Sequence, residues 1–279
     1  MKKRAFLLMA NIILWSVITL QAQSLKEVWS TENVFETPES AYYDADDQVI
    51  YISNIAGNPT AKDGNGFISI LNKDGSIRKL KWVTGLNAPK GITVFDHKLF
   101  VTDIDHVITI DIRSGEIIKK TRVMGARFLN DLTHDQNGNL YISDTQLSII
   151  FTIKMAKVDI WLYGSADLVR PNGMAMLNGK ILIGTEKGIL EADPKNRSTR
   201  MPVKHSGMID GLVPLNNGFI ISDWKGKIEF VNDQKDIVLS NTTAKDINAA
   251  DLGFIPDEKL ILIPTFSDNR VIGMRYSGQ

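Results

Sequence analysis

The chain has no cysteine. Disulfides, a thiol nucleophile and a lipid anchor on a cysteine behind an apolar leader are thereby excluded. It has no excess of charge, with 32 basic and 32 acidic residues, so a strongly basic surface is absent and nucleic acid is not an expected partner. Histidine is scarce. His97, His106, His134 and His205 show no HExxH-type ligand spacing. No Gly-x-Ser-x-Gly elbow occurs, and Asp63-Gly64-Asn65-Gly66 lacks the lysine pattern of a nucleotide-binding loop.

One apolar run stands out. Met1-Lys2-Lys3-Arg4 precedes 16 nearly uninterrupted apolar residues, Ala5 to Leu20, and Leu20-Gln21-Ala22 offers a cleavage site. This layout reads as a signal peptide over residues 1–22. The run is short against the roughly 20 residues of a membrane span. The expected product is exported, periplasmic or secreted, with no membrane attachment after cleavage. Without Lys2, Lys3 and Arg4, 29 basic residues face 32 acidic ones. Residues 23–279 are expected to form a single domain.

What the chain does have is a repeat. An anchor residue, five or six mostly apolar residues, a turn signal and a strand ending in a small polar residue recur six times. The anchors are Glu39, Lys90, Asn130, Asn172, Asp210 and Ala250, spaced by 51, 40, 42, 38 and 40 residues. Turn signals follow in phase at Asp46-Asp47, Asp96-His97, Asn137-Gly138, Asn178-Gly179, Asn217-Gly218 and Asp257-Glu258. Strands rich in Ile, Leu, Val and Tyr come next, at Val49–Ser53, Leu99–Asp103, Leu140–Asp144, Ile181–Thr185, Phe219–Asp223 and Leu260–Thr265. Outer hairpins follow in most units. A period near 40 with four strands per unit predicts an all-β fold, a six-bladed β-propeller with four-stranded blades. The last unit has only three strands, so Leu25–Ser30 is expected to supply the fourth and close the ring.

In a propeller, equivalent positions face one axis, so the six anchors should converge. Glu39 and Asp210 bring carboxylates, and Asn130 and Asn172 bring amide oxygens. Hard oxygen donors of this kind suit calcium, magnesium or manganese. Asn172-Gly173 and Asp210-Gly211 would each read as a turn in isolation. Their phase argues against that, because each is followed six or seven residues later by its own Asn-Gly or Asn-Asn-Gly signal. Asn130-Asp131 reads equally as a loop cap or as part of the set. Lys90 stands in the same register. Its ammonium either reaches past an ion to a substrate carboxylate or pairs with Glu39. The long first spacing comes from an insertion at Ala56–Gly66, either a lid over the channel mouth or a plain surface loop.

On these motifs the chain resembles the senescence-marker-protein, gluconolactonase and regucalcin-like family. Glu39-Ser40-Ala41-Tyr42-Tyr43-Asp44 stands where that family has Glu-Gly-Pro-x-Trp-Asp. Asn130-Asp131-Leu132-Thr133-His134-Asp135-Gln136-Asn137-Gly138 is similar to its Asn-Asp-x-x-x-Asp-x-x-Gly run. Pro171-Asn172-Gly173-Met174 and Ile209-Asp210-Gly211-Leu212 are similar to its later Asn-Gly and Asp-Gly motifs. The resemblance implies a divalent metal, Ca2+ or alternatively Zn2+, Mg2+ or Mn2+, held by Glu39, Asn172 and Asp210. It implies substrate contacts from Asn130 and Arg127, with Lys90 added from its register. It also implies hydrolysis of a sugar lactone or related cyclic ester, the metal polarising the carbonyl and Asp210 activating water as the catalytic base. Arg127 lies three residues before Asn130, where the family has two, and Ser40-Ala41 replaces Gly-Pro. The expected partner is a small lactone-like molecule. The rival expectation is a non-catalytic propeller that binds a small ligand or a protein in its channel.

Overall fold

The structure is a computed structural model describing residues 23–278; the signal-peptide reading of residues 1–22 lies outside the described residues. Six four-stranded antiparallel sheets form a six-bladed propeller. The innermost strands are Pro38–Asp44, Pro89–Phe95, Leu129–His134, Met174–Leu177, Leu212–Leu215 and Gly253–Ile255. Leu25–Ser30 pairs antiparallel with Val271–Tyr276 as the outermost strand of the last blade. The ring is therefore closed by its N-terminal strand, as the truncated sixth repeat implies. A parallel bridge between Ser40 and Asp251 joins the first and last blades at the axis.

The core is divided into layers between blades. In the second strand of the first blade, Val49 and Tyr51 pack with Ile92, Val101 and Ile108 of the second blade. Ile50 and Ile52 pack the other way, with Ile255, Leu260 and Leu262 of the sixth. Side chains alternate along a strand, so a strand with a blade on either side must be apolar at every position. This is why the second strands read as unbroken Ile/Leu/Val/Tyr runs rather than as an alternating pattern.

Two of the six turn signals are tight two-residue hairpins with both residues left-handed, at Asp96-His97 and Asn178-Gly179. The fifth is also a two-residue loop, Asn216-Asn217 between Leu215 and Gly218, and the other three are longer. Asn137-Gly138 sits within a loop over 135–139, and Asp257-Glu258 belongs to a 3-10 turn, Pro256–Glu258, ended by left-handed Lys259. The fourth blade is complete despite Pro202, because its outer strand Thr199–Lys204 slips register beside that proline.

Asn172-Gly173 and Asp210-Gly211 are not turns. The N–H of Asn172 donates to Gly184 O (2.9 Å), while the Gly184 N–H donates to Gly173 O (2.8 Å). Two residues thus oppose one, which is a β-bulge. Asp210 and Gly211 oppose Ser222 in the same way, at 2.8 and 3.1 Å. Pairing also shifts by one residue across Glu39, across Lys90-Gly91 and across Asn130-Asp131. The glycines after the anchors serve close approach, not left-handed backbone. A Cβ at Gly173 would lie 2.2 Å from the Asp210 carbonyl oxygen, and one at Gly211 would lie 2.5 Å from the Leu252 nitrogen. Both obstacles are backbone of the next blade and cannot swing aside. Gly173→Ala and Gly211→Ala are each expected to cost about 3 kcal/mol or more, at the upper end for overpacked positions, measured as the loss of unfolding free energy in urea.

Candidate active site

The bulges aim five anchor side chains at one cavity of about 220 Å³, lined by Glu39, Lys90, Asn130, Asn172 and Asp210 together with Ile55, Pro59, Phe128, Thr145, Arg170, Met208, Trp224 and Phe266. All five anchors are buried. Hydroxyl groups hold the backbone that carries them. Thr102 Oγ1 donates to Asn130 O (2.5 Å), Ser143 Oγ to Asn172 O (3.0 Å) and Ser222 Oγ to Ala250 O (2.8 Å). In each case a second strand of one blade fixes the anchor of the next.

Glu39 Oε2 and Asp210 Oδ2 are buried oxygens with no hydrogen-bond partner. The Asn172 amide donates to Asp210 Oδ1, and the Asn130 amide donates to Thr145 Oγ1 (3.2 Å). Among the described residues, no hydrogen bond to either amide oxygen is made. Burial raises the Glu39 carboxyl well above the usual range, with the Asp210 charge adding to the effect and Lys90 opposing it. Burial pushes Asp210 up to about 7 against the stabilising Asn172 bond. Four oxygen donors converge, two of them orphaned carboxylate oxygens with too little positive charge nearby. That donor set fits a hard divalent cation. Among the described residues there is no cluster of three or more His, Cys, Asp or Glu placed to hold a metal, so such an ion would depend on the amide oxygens as well as the carboxylates.

Lys90 has a place of its own. Its ammonium donates to Ala88 O (2.9 Å) and Pro59 O (3.1 Å) and lies 4.7 Å from the centre of the Phe128 ring. It makes no ion pair with Glu39, although the Glu39 charge supports its protonated form against the lowering effect of burial. Pro59 belongs to the inserted loop, and Lys62 of the same loop pairs with Asp105 at 2.7 Å. The insertion therefore contributes to the cavity wall through Pro59.

Arg127 does not line this cavity. Its side chain is exposed, and its N–H donates to Asp144 Oδ2 (2.7 Å). Arg170, two residues before Asn172, does line it. So do Phe128 and Met208, each two residues before an anchor, and Ile55, Thr145, Trp224 and Phe266, each one residue beyond the polar end of a second strand. The repeat phase contains both sets, and reading only the anchors misses them. Asp131 and Asp251, one residue past their anchors, line a separate cavity of about 500 Å³ with Tyr42, Thr93 and Met174. Burial pushes Asp131 up to about 7, partly offset by the N–H groups of Met174 and Leu132. Burial also raises Asp251 well above the usual range, reinforced by the charges of Asp131 and Glu39.

A scan against protein families finds no match, and a search of curated proteins finds none either. In three dimensions the chain is similar to a gluconolactonase of Xanthomonas campestris, with TM-score 0.66 and 13% identity over 87% of this chain and 86% of that one. It is similar to a streptogramin B lyase, with TM-score 0.65 and 13% identity over 91% and 98%. It is also similar to virginiamycin B lyase from Staphylococcus aureus, in a variant described as catalytically inactive in which alanine replaces a histidine, with TM-score 0.61 and 12% identity over 91% and 99%. At such identities the likeness establishes the fold.

The raised carboxyls set an unusual pH response. Without a cation, the folded protein binds protons on Asp131 and Asp210 up to about pH 7, whereas in the unfolded chain these groups ionise near ~4. The native state therefore holds more protons across that window, and stability falls as pH rises through it. In the presence of a chelator, the unfolding midpoint is expected to rise as pH is lowered from about 8 to about 5. Saturating calcium is expected to flatten the slope, as followed by thermal unfolding monitored by circular dichroism.

Proposed function

We propose that the cavity is the active site of a metal-dependent hydrolase acting on a lactone or related cyclic ester, in a protein that works outside the cytoplasm after loss of residues 1–22. The observation that carries this reading is the pair of orphaned buried oxygens, Glu39 Oε2 and Asp210 Oδ2, facing the same small cavity as two amide side chains. Glu39, Asn172 and Asp210 would hold the cation, Ca2+ before Zn2+, Mg2+ or Mn2+, with Asn130 beside it. Bound there, a divalent ion supplies Lewis-acid polarisation of a carbonyl and compensates the two carboxylates. Asp210 accepts the proton of the attacking water at its unpartnered Oδ2. Asn172 fixes the Asp210 carboxylate through its other oxygen. Phe128 and the loop carrying Pro59 narrow access to bulk water. None of the four histidines lines the cavity, which speaks against a histidine-dependent reaction at this site.

A second reading, a propeller that binds a ligand without transforming it, is favoured by Lys90. Lys90 is only 2% exposed, in the same cavity as the carboxylates, and its ammonium supplies part of the charge that a cation would otherwise provide.

Metal analysis of the purified protein and thermal unfolding with and without calcium separate the two. For the wild type, calcium at about a hundred times its Kd should add about 2.7 kcal/mol, or roughly 5–10 °C for a domain of this size. Asp210→Ala should lose most of that shift and all lactone hydrolysis. Absence of both metal and shift in the wild type would sink the hydrolase.

A further inference from the structure

The cavity combines the polar anchors with a largely apolar remainder. Its apolar wall is Ile55, Pro59, Phe128, Met208, Trp224 and Phe266. Ile55 belongs to a small apolar cluster with Ala88 and Ile104, against which Phe266 packs. Trp224 and Phe266 meet edge to face with ring centres 5.3 Å apart. Both have left-handed backbone, with φ of 58° and 48°. Bulky residues rarely adopt that conformation, and where they do the strain is retained by the surroundings, often at ligand sites. Here the Ala249 N–H holds Trp224 O at 3.2 Å, and the Asn269 N–H holds Phe266 O at 3.1 Å. The backbone carrying these two aromatic side chains is thus fixed beside the cavity, and Trp224 remains 37% exposed.

The polar groups among these walls are already engaged. Thr145 Oγ1 donates to Pro171 O (2.7 Å) and accepts from Asn130. The Arg170 guanidinium pairs with Glu186 (3.1 Å) and reaches the Met208 sulfur (3.7 Å). The Lys90 ammonium is held by two backbone carbonyls. The buried oxygens left without a partner here among the described residues are Glu39 Oε2 and Asp210 Oδ2. A ligand rich in hydroxyls would bury them against hydrocarbon, and each hydroxyl left unpaired costs roughly ten- to a hundred-fold in binding.

We propose that the site selects a small cyclic ester bearing an alkyl or aryl substituent over a polyhydroxylated sugar lactone. Trp224 and Phe266 determine that specificity. The proposal rests on the hydrolase reading for the ester itself. The reacting carbonyl lies at the anchor oxygens, and the substituent lies against the two rings and Ile55.

The test uses the mature chain with calcium and two matched pairs of compounds. Turnover is measured on δ-decalactone and glucono-δ-lactone. Binding is measured by calorimetry on the corresponding lactams, which have the same shapes but resist hydrolysis. The expected result is a kcat/KM for the alkyl lactone about a hundred-fold above that for the sugar lactone, with only the alkyl lactam showing measurable binding. Trp224→Ala should weaken alkyl lactam binding about ten-fold, and Trp224→Phe should restore most of it. Thermal unfolding confirms that each variant is folded. Binding of the alkyl lactam without turnover of any lactone sustains the selectivity and overturns the hydrolase. Turnover that favours the sugar lactone overturns the selectivity and leaves the hydrolase standing. Failure of both lactams to bind overturns the selectivity, as does a Trp224→Ala variant that binds as the wild type does.

Discussion

The molecule depends on a repeated defect in its own hydrogen bonding. At the start of five inner strands the pairing gains one residue, and the five anchor side chains there face one cavity. A regular ladder would send alternate side chains into the layers between blades, where only apolar groups are tolerated. The bulge lets a Glu, Lys, Asn or Asp leave that pattern without disturbing the packing on either side. Its carbonyl is then held by a hydroxyl from the preceding blade, at Thr102, Ser143 and Ser222. These short bonds set the distance between neighbouring anchors, so the geometry of the site and the closure of the ring are one constraint.

This arrangement concentrates like charge. Glu39, Asp131, Asp210 and Asp251 are all withdrawn from water near the axis, and each is raised by burial. Lys90 is the one ammonium set among the anchors. A buried carboxylate without a partner is expensive, and a fold optimised for stability alone would replace these groups with apolar ones. Their retention is understandable if something positive joins them in the working protein. The anchor layer and the layer one residue below it face different cavities. Asp131 has both oxygens occupied by N–H groups of Leu132 and Met174, and Asp251 is bonded by Ser40. Among the described residues the buried carboxylate oxygens without a partner, Glu39 Oε2 and Asp210 Oδ2, both belong to the anchor layer.

The repeat made much of this legible. The blade count, the closure by Leu25–Ser30 and the convergence of Glu39, Lys90, Asn130, Asn172 and Asp210 all follow from six anchors in phase with six turn signals. The bulges were not legible, because Asn-Gly and Asp-Gly pairs have the same letters whether glycine relieves a close approach or supplies a left-handed turn. The aromatic wall was missed for a different reason. Trp224 and Phe266 follow the second strands at equivalent positions, but one repeat has Thr145 there and another Glu186, so no shared residue type marks the position. Arg127 illustrates the reverse error. A motif resemblance drew attention to it, while the residue in phase with the repeat and lining the cavity is Arg170.

Lys90 shows how one register can hold opposite charges. An ammonium aimed at the axis would compete with a cation for the same carboxylates. The chain instead bends the side chain toward two carbonyls, Ala88 O on its own blade and Pro59 O on the inserted loop, and covers it with the Phe128 ring. The charge stays close enough to support ionised Glu39 but is committed to backbone acceptors that only the insertion completes. The longest spacing in the repeat and its one basic anchor therefore belong together: the loop over 56–66 supplies an acceptor for an ammonium that the anchor position would otherwise leave facing the carboxylates.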